Sequence, residues 1–146
     1  MGLAVDRGRL QRLASTRLDD AKALLETERW SGAYYLCGYA IECGLKACLL
    51  RHLGESDAVF GDFAYVKKLA DCWTHDLVKL VNLAGLDAAF GDARGANQKL
   101  AAHWGVTKDW RETSRYEEKD EREATALYKA VSDNTDGVLQ WIQKRW

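Results

Sequence analysis

The stretch 30-WSGAYYLCGYAIECGLKACLLRHL-53 decides the fold, because it is apolar almost all the way round and yet carries one thin polar stripe. At about 100° per residue, Tyr35, Tyr39, Glu42 and Lys46 fall on a single line, while Leu36, Ala40, Ile41, Leu45, Ala47, Leu49 and Leu50 cover the remaining surface. A helix apolar on every side belongs at the centre of a bundle. Glu42 and Lys46 are therefore charges in or beside a core, where an ionised group is costly unless it is paired, solvated by a pocket, or used.

Upstream, Leu10, Leu13, Ala14, Ala21, Leu24 and Leu25 form one stripe and predict a first helix from about Leu3 or Gly8 to Thr27. Arg17 sits inside that stripe, and Glu42 is its expected partner. The short link from Glu28 to Gly32 makes the first two helices antiparallel neighbours, with Ser31 as N-cap. Gly54 ends the second helix. Glu55 to Asp62 reads as a surface loop, and Phe63 to Trp73 as a short helix or ordered turn.

A third helix opens at Thr74 as N-cap, with His75 and Asp76 in its first turn and Leu77, Leu80, Val81 and Ala84 facing inward, and it closes at Gly85. Leu86 to Trp104 keeps helical register through Asn97, weakened by Gly91 and Gly95 unless these mark a close approach of another backbone. Gly105 to Lys119 has no period and reads as a long connection, a kind of segment that is often functional or mobile. The final helix carries Ala124, Leu127, Tyr128, Val131, Thr135, Val138, Leu139, Ile142 and Trp146 in one stripe, which Asn134 to Gly137 could kink. The predicted product is all-α, an up-and-down bundle of four to five helices forming one domain over residues 1–146.

Composition agrees. The 146 residues contain no proline, against an average usage of about 5%, which favours long uninterrupted helices. A net charge of -1 leaves no global field to draw the chain onto phosphates or acidic lipids, so any nucleic-acid contact must come from a local patch. The four cysteines form no Cys-x-x-Cys pair and three lie within the apolar helix, which argues for buried free thiols over zinc or disulfides. No metal or cofactor is expected. The N-terminus lacks a secretory pattern and no window reaches the roughly 18 apolar residues of a membrane span, so the expectation is a cytoplasmic protein without a membrane partner.

The runs 17-RLDDA-21, 33-AYYLCGYAIECGLKA-47, 74-THDL-77 and Arg115-Tyr116 together resemble the HEPN family, the higher eukaryotes and prokaryotes nucleotide-binding domain. The 38-GYAIECGLK-46 block is the most specific part. The resemblance implies a helical bundle that is usually a homodimer, found alone, beside a minimal nucleotidyltransferase as a toxin–antitoxin pair, or fused to larger proteins. Many members are metal-independent ribonucleases that use an arginine and a histidine separated by four to six residues. No such pair occurs here, which lowers the endoribonuclease reading below nucleotide or RNA binding.

The candidate binding residues are Glu42, Lys46, His75, Arg115 and Tyr116, with Arg17 and Tyr39 as a supporting polar network and no residue assigned to catalysis. Lysine and arginine suit a phosphate, an arginine beside aromatic rings can also hold a base, and Glu42 would orient a partner. The competing reading of the same residues is a structural ion network holding the helices in register.

Overall fold

A computed structural model describes residues 5–54 and 71–146. The expected loop at residues 55–62 and most of the ambiguous 63–73 segment lie outside the described residues. Within them the chain forms seven α-helices and one 3-10 turn, and no strand. These are α1 (Arg7–Glu26), α2 (Trp30–Gly54), α3 (Leu77–Leu83), α4 (Asp87–Ala96), α5 (Gln98–Thr107), the 3-10 turn (Glu112–Tyr116), α6 (Glu121–Ser132) and α7 (Val138–Gln143). The all-α bundle inferred from periodicity is the observed fold, with two of the five long helical stretches each divided in two.

α2 is the hub. Twelve of its residues, from Ala33 to Leu49, are buried, and it packs against α1, α3, α6, α7 and the 3-10 turn. α1 runs back along it with Leu10, Ala14 and Ala21 buried, and opens with Asp6 accepting a hydrogen bond from the Arg9 N–H at 2.7 Å. The reversal between them places Glu28 at φ 60, a left-handed conformation that a residue with a Cβ adopts at a cost of about 1 kcal/mol. Ser31 is not the N-cap, since α2 begins one residue earlier. Its hydroxyl instead accepts from the Lys119 N–H at 2.9 Å and ties the start of α2 to the approach of α6. There a capping box between Asp120 and Glu123 satisfies two otherwise orphaned donors.

Local side-chain chemistry decides the two helix breaks. Asn97, read as part of a continuous stripe, is extended at φ -137 and accepts from the Lys99 and Leu100 N–H groups, so it caps α5 and separates it from α4. The kink expected at 134–137 is a full break. Asp133 accepts from the backbone of Thr135 and Asp136 and from His103 Nε2 at 3.1 Å, while Asp136 accepts from Asn97 Nδ2 at 2.7 Å. No backbone comes close at Gly95, whose missing Cβ faces open space. α3 also starts later than expected: Asp76 is its N-cap, and Thr74 Oγ1 accepts from the Asp76 N–H, which leaves His75 in the turn before the helix.

The connection after α5 departs furthest from its sequence reading. It is pinned by Trp110, which is fully buried and lies so close over Gly38 of α2 that any Cβ there would fall within 2.2 Å of the indole ring. Thr107 and Ser114 are buried beside it in sequence. Truncating a buried indole of this kind typically costs about 3–5 kcal/mol, so the segment is part of the core.

Two glycine replacements test this packing. Gly38→Ala should destabilise by at least about 2–3 kcal/mol through overpacking, whereas Gly105→Ala, in α5 with nothing within 4 Å, should stabilise by about 0.5–1 kcal/mol. Urea unfolding of both variants measures the contrast, and equal effects would contradict the Gly38–Trp110 contact. A pH test addresses the second break. The three hydrogen bonds hold the Asp133 carboxyl at about 2, from an ordinary value of 3.8. A depressed folded pKa gives a contribution that is complete above about pH 4 and is lost as pH falls towards 2. Asp133→Asn should flatten the stability profile in that window, as followed by urea unfolding at a series of pH values.

Candidate functional site

Helical spacing along α2 aligns Tyr39, Glu42 and Lys46, and the turn capped by Asp76 brings His75 over them. Glu42 is only 3% exposed. Its Oε1 lies 2.8 Å from His75 Nδ1 and its Oε2 3.4 Å from Lys46 Nζ. A carboxylate can only accept, so Nδ1 carries a proton towards Glu42, and in the neutral ring Nε2 remains as the acceptor. The buried charge is thus held by one cation and one neutral or cationic donor, both reaching solvent, with the His75 side chain 47% exposed.

These groups line one wall of a cleft of about 420 Å³ formed by the start of α1, the middle of α2 and the segment preceding α3. Tyr39, Cys43, Leu13, Leu50 and the exposed Trp73 also line it. Burial raises the Tyr39 hydroxyl to about 12, aided by the neighbouring Cys43 thiol, so it stays a neutral donor. Burial likewise raises the Cys43 thiol to about 11 and the Cys37 thiol to about 12, which makes both poor nucleophiles. Among the described residues no three His, Cys, Asp or Glu side chains converge as a metal site would require.

Of the residues singled out from sequence, Glu42, Lys46, His75 and Tyr39 meet in this cleft. Arg17 does not reach Glu42: its guanidinium pairs with Asp20 one turn on, at 3.1 Å, and its charge is felt at Cys43. Arg115 and Tyr116 do not line the cleft. The Arg115 guanidinium lies 4.9 Å over the Tyr116 ring and against the Tyr35 hydroxyl, on an exposed face. Tyr35 and Tyr39 are stacked with centroids 6.1 Å apart, so the polar stripe of α2 runs from the cleft towards Arg115. Trp73 was missed. It is 84% exposed at the cleft edge, a placement that periodicity does not show.

The comparisons with known proteins bear on the same region. The HEPN domain family model matches residues 9–59, which contain most of α1, all of α2 and the Glu42–Lys46 pair. The resemblance carried by 38-GYAIECGLK-46 is therefore confirmed over that stretch. No curated protein and no solved structure matches the chain. Among the described residues no helix is long and apolar enough to cross a membrane.

Removing one partner of a buried charge leaves the other uncompensated, a penalty of about 3–5 kcal/mol for a fully buried pair and less for one that reaches solvent. Lys46→Met should therefore lower stability by about 2 kcal/mol, more than Glu42→Gln, which keeps its acceptor oxygen for His75. Thermal unfolding of the two variants checks the order, and a milder effect from Lys46→Met would show that the pair is not energetically coupled.

Proposed function

We propose that this HEPN-like protein binds a nucleotide or RNA in the cleft bounded by Glu42, Lys46 and His75. The observation that carries the reading is the convergence of these three side chains, 33 residues apart at the extremes, in an open cavity with an apolar wall and an exposed indole. A cavity of about 420 Å³ falls in the range that holds small ligands. Lys46 meets a phosphate, Glu42 fixes His75 and Lys46 in place, and Trp73 offers a face on which a base stacks, an interaction of roughly 1–3 kcal/mol. Arg115 and Tyr116 join only when the ligand is long enough to follow the Tyr39–Tyr35 stripe.

Calorimetric titration of the whole chain with ATP, GTP and a short single-stranded RNA tests this. Lys46→Ala and Trp73→Ala should each weaken binding about tenfold or more, whereas Arg115→Ala should weaken RNA and spare the mononucleotides. A folded wild type that binds none of the three ends the proposal.

The Glu42–His75 hydrogen bond favours a second reading. A carboxylate that fixes one imidazole nitrogen leaves the other as a general base for a ribose 2′-hydroxyl, the role a metal-independent endoribonuclease toxin needs. RNA cleavage in the presence of chelator, abolished by His75→Ala, would establish it. The family likeness also motivates two assemblies, a homodimer and a complex with a minimal nucleotidyltransferase, in which the protein serves as a non-catalytic module. Light scattering of the purified chain separates the first from a monomer.

A further inference from the structure

The two helix breaks meet. Asn97, which divides α4 from α5, donates through Nδ2 to Asp136 Oδ1 at 2.7 Å, and Asp136 belongs to the turn that divides α6 from α7. Beside this contact is a cavity of about 170 Å³, lined by residues of α4, α5, α7 and the α6–α7 turn. A chain that needed only a bundle would run both helices through, whereas here several residues are committed to interrupting them. Asn97 Oδ1 accepts from two N–H groups of α5, and Asp133 Oδ1 accepts from two in the turn. A Cβ on Gly137 would fall within 2.4 Å of the Asp133 carbonyl oxygen, so the turn also requires a glycine. Departures from local preference that gather round one opening mark a place shaped for more than packing.

The lining carries both signs of charge. Asp136 spends Oδ1 on Asn97, which leaves Oδ2 to meet a cation, and Lys144 lines the same cavity from the far end of α7. Gln140 stands between them in sequence, one helical turn before Lys144 and on the same face. Among the described residues Asp136 and Lys144 form no ion pair with each other. Leu100 and Trp141 add apolar surface, and the indole is fixed by Phe90, with ring centroids 4.5 Å apart, and by the Arg145 guanidinium 3.6 Å over its ring. A cavity of roughly 150 Å³ is enough for benzene, so this one admits a molecule of about six to eight non-hydrogen atoms.

We infer that this cavity binds a free α-amino acid with a short aliphatic side chain. Its ammonium meets Asp136, its carboxylate meets Lys144 and the Gln140 amide, and its hydrocarbon lies against Leu100 and Trp141. A zwitterion satisfies both lining charges at once, which neither a simple amine nor a simple carboxylate does. Among the described residues this cavity and the Glu42–Lys46–His75 cleft share no lining residue, so the assignment goes beyond the nucleotide reading and stands whatever the cleft binds.

The test is nuclear magnetic resonance of the whole chain titrated with L-valine, and separately with isobutylamine and isovalerate, which keep the hydrocarbon and one charge each. The expected result is perturbation of the Gly137 amide, the Asn97 side-chain amide and the Trp141 indole signals by L-valine, with each single-charge probe about tenfold weaker or more. Asp136→Asn keeps an oxygen to accept from Asn97 while removing the charge, and Lys144→Gln removes the opposite charge at a half-buried helix end that holds no part of the turn. Each should weaken L-valine binding about tenfold or more, and Lys144→Gln decides the matter if Asp136→Asn loosens the turn. Equal binding of L-valine and either single-charge probe would overturn the amino acid as ligand. Unchanged Gly137, Asn97 and Trp141 signals in wild type, or unaltered L-valine binding by folded Lys144→Gln, would overturn the site itself.

Discussion

Burial of a carboxylate on the innermost helix is the constraint around which this protein is arranged. Glu42 is surrounded by α1, α2 and the approach to α3, and Lys46 and His75 reach in to its carboxyl from the cleft side. An uncompensated charge at that depth would cost several kcal/mol, a large fraction of the whole stability of a domain this size. The position of the turn before α3 is thereby coupled to α2, and the opening that lets Lys46 and His75 meet solvent is the cleft itself. Stability and the candidate site share the same three side chains, which is why a structural and a functional account of Glu42 are compatible.

Around that centre the bundle is closed by shape. α2 can be sheathed by five neighbouring elements because its small residues let them approach, most directly at Gly38, where Trp110 lies across the helix, and at Gly44, where α7 packs through Ile142 and Leu139. The half-buried stripe of Tyr35 and Tyr39, packed at one end on Trp110, runs from the cleft towards Arg115. At the opposite corner, where α2, α3 and α7 end, the described lining residues include Arg51, His52, Lys144 and Arg145, where the cleft is largely apolar. One helix thus presents two chemically different surfaces from its two sides.

Much of this was legible in the chain. The central helix, its polar stripe, the antiparallel α1 and the all-α class follow from a 3.6-residue period, which depends only on the spacing of apolar residues. The HEPN likeness rests on the same block and is matched over residues 9–59. Within the site, Glu42, Lys46 and Tyr39 could be grouped because they share one helix face. Joining His75 to them was an expectation resting on the likeness and on the turn's position.

What only the folded structure decided is how individual side chains are spent, some on backbone or partners within one turn and others on residues far apart in sequence. Periodicity could not tell that Asn97 and Asp133 would spend their side chains on backbone N–H groups and interrupt two helices. It could not show that Arg17 would pair within its own helix or that Trp110 would make an aperiodic segment part of the core. Nor could it show that Arg51 and Arg145, 94 residues apart, would share a corner with Lys144. The chain's own pattern determined which helix is central and which charges it carries. Folding decided which of those charges meet, since that is set by helix packing and by the turns that aim one element at another.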